Sequence, residues 1–226
     1  MNPGPEYLVP LLLTLRVAGA ATAAALVLGT GAAWGLTRRD FPGRRLLGAL
    51  CTLPLVLPPT VLGYYLLVLL GRRGIMGRWL MDSFGVSLVF TWQGAAVASA
   101  VVAFPLVFQS ARAAFEGVGK RYEDAARTLG LSEIGVLVRV SLPLAMPGIA
   151  AGGVLAFARA MGEFGATLMV AGNIPGKTQT ISLAVYNAVQ AGDDGLAGGL
   201  VGLVTVVSAV ILWWAARITE GRRGQP

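Results

Sequence analysis

Two ionisable residues interrupt an otherwise apolar run. Arg159 and Glu163 stand four positions apart within the stretch from Pro147 to Val170. On a helix that spacing places both on one face, where they can pair. At a rise of about 1.5 Å per residue they lie roughly 18–24 Å from Pro147, well inside any bilayer that this run crosses. An ionised side chain at mid-bilayer costs about 2.5–3.5 kcal/mol on insertion scales, so such residues face a bundle interior or a wet cavity. Two readings follow: an ion pair that only fixes packing, or a pair that lines or gates a pathway. The run Gly-Glu-Phe-Gly-Ala-Thr from 162 to 167 sets small residues around Glu163, which permits close backbone approach or a small ligand. Phe164 and Thr167 complete this candidate set.

Other chemistry is limited by what the sequence lacks. There is no histidine, which removes His-based catalysis, His–metal sites and His-based pH switching. The single cysteine, Cys51, sits in an apolar run, so no intramolecular disulfide can form and a small buried role is expected. The segment Gly172-Asn-Ile-Pro-Gly-Lys-Thr178 has the look of a phosphate-binding loop, but the pattern requires glycine where Ala171 stands. No strand pattern precedes it, and a tight Pro-Gly turn is expected there instead. A membrane-embedded enzyme built on Arg159 and Glu163 would need a nucleophile or metal set nearby, and the sparse acids argue against one. Neither a cofactor nor a metal site is expected in this chain.

The densest block of charge lies elsewhere. Between Arg112 and Arg139 fall nine of the charged residues, in a chain with 18 basic and 11 acidic side chains. Tyr122–Leu129 is made of strong helix formers and stops at Gly130, a typical residue just past a helix end. Ser132 can cap a second helix, and the pairs Leu142-Pro143 and Met146-Pro147 lead into the next apolar run. On the first helix Ala125, Ala126 and Leu129 form a small apolar face, flanked by Glu123, Asp124 and Arg127. Such a face suits insertion into a groove on another protein.

These groups must be positioned by membrane helices. The chain is 55% hydrophobic and 13% charged, with mean hydropathy +0.70, whereas soluble domains carry about 25% charge. Five apolar runs reach the roughly 20 residues that a span requires. They predict one domain over 1–226, with spans at about 8–37, 46–70, 85–108, 144–171 and 195–217 and a connecting region at 109–143. Pro54, Pro58 and Pro59 must break or kink the second. With the N-terminus outside, inner segments hold twelve Lys and Arg and outer segments four, leaving Arg16 and Arg159 uncounted. The inner set is Arg38, Arg39, Arg44, Arg45, Arg112, Lys120, Arg121, Arg127, Arg139, Arg217, Arg222 and Arg223. That bias predicts N-terminus outside and C-terminus inside, with Trp213 and Trp214 at the inner interface. It also accounts for the net charge of +7 without nucleic acid as a partner. Residues 178–192 read as an interfacial or re-entrant helix, or else an ordinary loop helix. Small-residue pairs at Gly31/Gly35, Gly148/Gly152 and Gly198/Gly202 would allow close helix approach.

The charged block carries a resemblance. Asp124-Ala125-Ala126, Gly130, Val140 and Leu142-Pro143 resemble the EAA signature of inner-membrane permeases of ATP-binding-cassette importers, with Asp124 for Glu and Val140 for Ile. The stretches TLPLVLPPTVLGYYLL, EDAARTLG, SLPLAMPGI and ARAMGEFGATLMVAGNIPGKTQTI look like the molybdate-type members; sulfate and thiosulfate permeases are similar. The resemblance implies an all-α, five-span type I importer permease fold in a bacterial or archaeal inner membrane. It implies that residues 123–127, 129, 130, 142 and 143 form the coupling element that docks on a separate ATPase subunit. Further implied partners are a second copy of the chain, membrane lipid and an external binding protein delivering a tetrahedral oxyanion: molybdate, tungstate or sulfate. ATP would be used by the partner subunit alone.

Overall fold

Proline placement explains the most abrupt feature of the chain. The computed structural model describes residues 4–38 and 40–220, and every regular element among them is helical. α1 (Pro5–Arg38) is followed by α2 (Arg44–Val56) and α3 (Pro59–Leu70), which meet at a bend of 112°. Leu57 and Pro58 each precede a proline and are driven into extended backbone, ψ 138° and 136°. Pro59 then starts α3, where its missing N–H costs nothing. The expected second span is therefore a bent pair.

α4 (Ile75–Phe84) is short, and α5 (Trp92–Glu116) begins at Trp92 rather than at Gly85, where the apolar run starts. Thr91 sets that boundary by accepting a hydrogen bond from the Gly94 amide at 3.1 Å. Phe90 just before it holds φ +60° and donates its amide to the Val170 carbonyl. α6 (Lys120–Thr128) and α7 (Glu133–Val136) form the charged connection, and a π turn (Leu137–Ser141) leads into α8 (Leu142–Met161). The expected fourth span is broken at Gly162–Phe164 and resumes as α9 (Gly165–Ala171). α10 (Ile181–Gln190) and α11 (Asp194–Glu220) complete the chain. Four helical stretches among the described residues are long and apolar enough to cross a membrane, or five with the bent pair counted as one.

The bundle centre is built from small residues of α1, α5 and α8, including Ala18, Ala21, Ala25, Ala103, Ala156 and Ala160. Small side chains let backbones approach, so packing replaces the hydrophobic driving force that lipid removes. Of the three small-residue pairs only Gly148/Gly152 serves this contact. A Cβ at Gly152 would lie 2.7 Å from Ser110 Cβ, and one at Gly148 2.7 Å from Ala114 Cβ, both on α5. A Cβ at Gly31, Gly35, Gly198 or Gly202 would meet no neighbour within 4 Å among the described residues. α3 docks as tightly on α9, where a Cβ at Gly63 would reach 2.9 Å from Ala166 Cα.

α10 buries Ile181, Leu183, Ala184 and Ala188 and exposes Tyr186 and Val189. Its first amide donates to Thr14 Oγ on α1 at 2.8 Å, so the segment is a packed helix rather than a free loop. The loop before it is the expected turn: Lys177, Thr178 and Gln179 all donate their amides to the Ile174 carbonyl. Thr178 Oγ accepts from the Ile174 amide at 3.0 Å.

Candidate functional site

The charged connection is a two-helix element whose turns are set by single residues. α6 is capped at Leu129, and Gly130 follows with φ +86°, which side chains other than glycine rarely adopt. The Gly130 amide donates to the Arg127 carbonyl at 2.9 Å and the Leu131 amide to the Ala126 carbonyl at 3.2 Å, the paired bonds of a Schellman end. Ser132 caps α7 by accepting from the Gly135 amide. Arg127 ties the two helices together, donating from Nε to Glu133 Oε1 at 2.7 Å and from Nη1 to Asp124 at 2.6 Å. The hydrogen bond from Arg127 holds the Glu133 carboxyl below its usual range, and Glu133 raises the Arg127 guanidinium in turn.

The expected alanine face is divided by the fold. Ala126 is buried inside the protein, whereas Ala125 is exposed and Leu129 is 84% exposed. Ile134 and Val138, one turn apart, are also exposed and extend the apolar surface beyond α6. Their spacing alone could have marked them, but the apolar run that follows masks it. Leu142 turns toward the cluster of Phe108, Phe115 and Ile149, and Pro143 sits in the first turn of α8. Both therefore build the α8 start rather than the outer face of α6.

Glu123 also faces inward, with its side chain 13% exposed. Its Oε1 accepts from Arg38 Nη2 at 2.9 Å and from Ser141 Oγ at 2.6 Å. Arg38 Nη2 reaches Ser141 Oγ as well, at 3.1 Å. Arg38, Arg44, Lys120 and Arg127 line one cleft of about 500 Å³ with Asp40, Glu116, Glu123 and Asp124 among them, so this end of the bundle gathers cations from two connections. Arg39, Arg222 and Arg223 lie outside the described residues.

The second candidate set is at the α8–α9 break. Glu163 lies within the break itself, not along a continuous helix, yet it keeps the expected pair: Oε2 is 2.9 Å from Arg159 Nη1. The Arg159 N–H is not aimed at that oxygen, so Oε2 is buried without a hydrogen bond among the described residues. Oε1 accepts from the Ala166 amide at 2.8 Å and so caps α9. The side chain is 1% exposed. Thr167 is buried and donates to the Phe164 carbonyl at 2.9 Å. Phe164 instead packs on Tyr186 of α10, ring centroids 5.1 Å apart, at a cavity of about 580 Å³ shared with Met161, Val189 and Ser208. The four candidates thus divide: Glu163 and Thr167 shape the break, Phe164 lines the cavity, and Arg159 remains one-third exposed beside them. Arg16 stacks over the Trp92 ring, 3.8 Å from its centroid.

The family described as "Binding-protein-dependent transport system inner membrane component" matches residues 25–224. The chain belongs to this family. Within it, the chain is 46% identical to the molybdenum transport system permease protein ModB of Escherichia coli (strain K12), over 98% of both chains. It is 42% identical to the putative molybdenum transport system permease protein YvgM of Bacillus subtilis (strain 168), over 92% of both. The sulfate transport system permease protein CysT of Escherichia coli (strain K12) is 37% identical over 92% of this chain and 75% of its own. Among solved structures, a chain of the MetNI methionine ABC transporter superposes with TM-score 0.73 at 18% identity, over 98% of both chains. A bacterial alginate ABC transporter superposes with TM-score 0.73 at 16% identity, over 98% of this chain and 80% of its own. At these identities the superpositions establish the fold, that of ABC importer permeases. The α6–α7 element and the broken α8–α9 helix are therefore features of a transport permease.

Proposed function

We propose that this chain is the membrane permease subunit of an ATP-driven importer of molybdate. Two copies form the pathway, an external binding protein delivers the oxyanion, and a separate cytoplasmic ATPase supplies the energy. The full-length 46% identity to a molybdenum permease carries this reading. In it α6 is the ATPase-docking helix, presenting Ala125 and Leu129 with Ile134 and Val138 beside them. The cation-rich end of the bundle is the cytoplasmic end, in keeping with the excess of Lys and Arg in inner connections. The opposite end carries the N-terminus of α1 and the 172–178 turn, which face the binding protein. The pathway runs beside the α8–α9 break, where unwound backbone and a buried ion pair are tolerated because protein or water satisfies them.

The test is uptake of radiolabelled molybdate by proteoliposomes containing this chain, its ATPase and its binding protein, with tungstate or sulfate as competitor. Uptake that tungstate suppresses and excess sulfate does not is the expected result. Uptake driven by sulfate, with molybdate inert, would replace the reading with the sulfate permease that the 37% match also supports.

A further inference from the structure

The element that docks a motor must also be held to the helices it moves, and α6 is held by polar contacts. Its main backbone neighbours are the short α7 and the π turn, and Ala126 is its one buried side chain. Beside the Arg127–Glu133 tie to α7, a single carboxylate oxygen links α6 to α1 and to the start of α8. Glu123 Oε1 is shared by Arg38, the last residue of α1, and by Ser141, the last residue of the π turn before α8. Arg38 Nη2 also donates to Ser141 Oγ, so the three groups close a triangle with sides of 2.9, 2.6 and 3.1 Å. Arg38 Nη1 lies 3.6 Å from Glu133 Oε2, which brings α7 into the same node. Ser141 is buried, and the Arg38 and Glu123 side chains are 15% and 13% exposed, so water weakens these contacts far less than a surface pair.

We infer that the Arg38–Glu123–Ser141 node is the joint that transmits movement of the docking helix to α1 and α8 together. This rests on the proposed ATPase-driven function. The geometry supports transmission rather than docking, because Glu123 points away from the exposed face of α6. α1 and α8 are the helices that pack through small residues onto α5, so a displacement received by both reorganises the bundle centre. The π turn adds a reason for Ser141: such segments carry one extra residue per turn and often occur at functional positions. Arg38, Glu123 and Ser141 are positioning residues in this scheme and contact neither ATP nor oxyanion.

The experiment uses proteoliposomes with the complete importer, measuring molybdate-stimulated ATP hydrolysis, uptake per ATP and ATPase retained on purification. The variants are Arg38→Gln, Ser141→Ala and the charge exchange Arg38→Glu/Glu123→Arg. Arg38→Gln is expected to retain the ATPase subunit but to lose about tenfold in uptake per ATP, within the 5–150-fold range of typical coupling effects. Ser141→Ala, which removes only one hydroxyl, is expected to move the same ratio in the same direction. The exchange is expected to restore part of what Arg38→Gln loses. Wild-type uptake per ATP in both single variants would overturn the joint. Loss of the ATPase subunit from Arg38→Gln would overturn it too, by making the residue part of docking. Failure of the wild-type importer to take up molybdate would count against the proposed function instead.

Discussion

Gly152 gives the sharpest test of how the bundle is packed. A Cβ there would stand 2.7 Å from Ser110 Cβ and 3.0 Å from Ser110 Oγ, against the 3.5–4.0 Å at which carbon atoms rest. Gly152→Ala must therefore push α8 off α5 by about 1 Å, an overpacking that costs about 1–3 kcal/mol. The same substitution also gains about 1 kcal/mol of helix propensity, so Gly198→Ala is the proper comparison. Gly198 is helical too and a Cβ there would meet nothing within 4 Å among the described residues, so the propensity gain cancels between the two variants. At about 2–4 °C per kcal/mol for a chain of this size, Gly152→Ala should melt about 2–12 °C below Gly198→Ala in detergent. Thermal unfolding followed by tryptophan fluorescence measures this, and Gly152→Ala/Ser110→Gly should recover part of the difference, less the propensity cost of a glycine inside α5. Equal melting of the two single variants would refute the α5–α8 approach.

Other predictions concern the docking element and the break. Leu129→Asp, at the exposed C-cap of α6, should reduce ATPase retention by at least about tenfold, the scale of a lost interface anchor; undiminished copurification would remove Leu129 from the interface. The Glu133 carboxyl is held low by the Arg127 hydrogen bond. Its contribution to the α6–α7 tie is present above the ordinary glutamate value and is lost as pH falls through the folded value. Protection factors over residues 120–136, exchange taken relative to the intrinsic rate at each pH, should then be highest near neutral pH and fall below about pH 4. Glu133→Gln should erase that pH dependence; an unchanged profile would contradict the tie. Glu163→Gln retains an oxygen to cap α9 but loses the charge facing Arg159. It should lower molybdate uptake more than it lowers assembly with the ATPase, and normal uptake would leave the pair a packing device.

The features readable from sequence were those set by one residue's backbone preference. Gly130 and Ser132 end and start their helices as their types dictate, and Pro58-Pro59 bends the second apolar run. The all-helical class followed from hydropathy and length. Harder to read was the break at Gly162–Phe164, because Arg159 and Glu163 at helical spacing suit a continuous helix equally well. The flanking Gly162 and Gly165 were the available signal, and Gly165 is needed because Thr60 of α3 approaches it. The inward turn of Ala126 and Glu123 had no local signal. Which face of a nine-residue helix is buried depends on Arg38, distant in sequence and adjacent only after α1, α5 and α8 have packed.

In the proposed function α6 couples this permease to an ATPase. Its most direct test is molybdate-stimulated ATP hydrolysis in proteoliposomes, wild type against Gly130→Pro. Proline cannot adopt the φ of +86° found at this position and removes the amide bonded to Arg127. The account predicts stimulation in the wild type and its loss in the variant, with unstimulated hydrolysis by the ATPase persisting. Full stimulation in Gly130→Pro would contradict it.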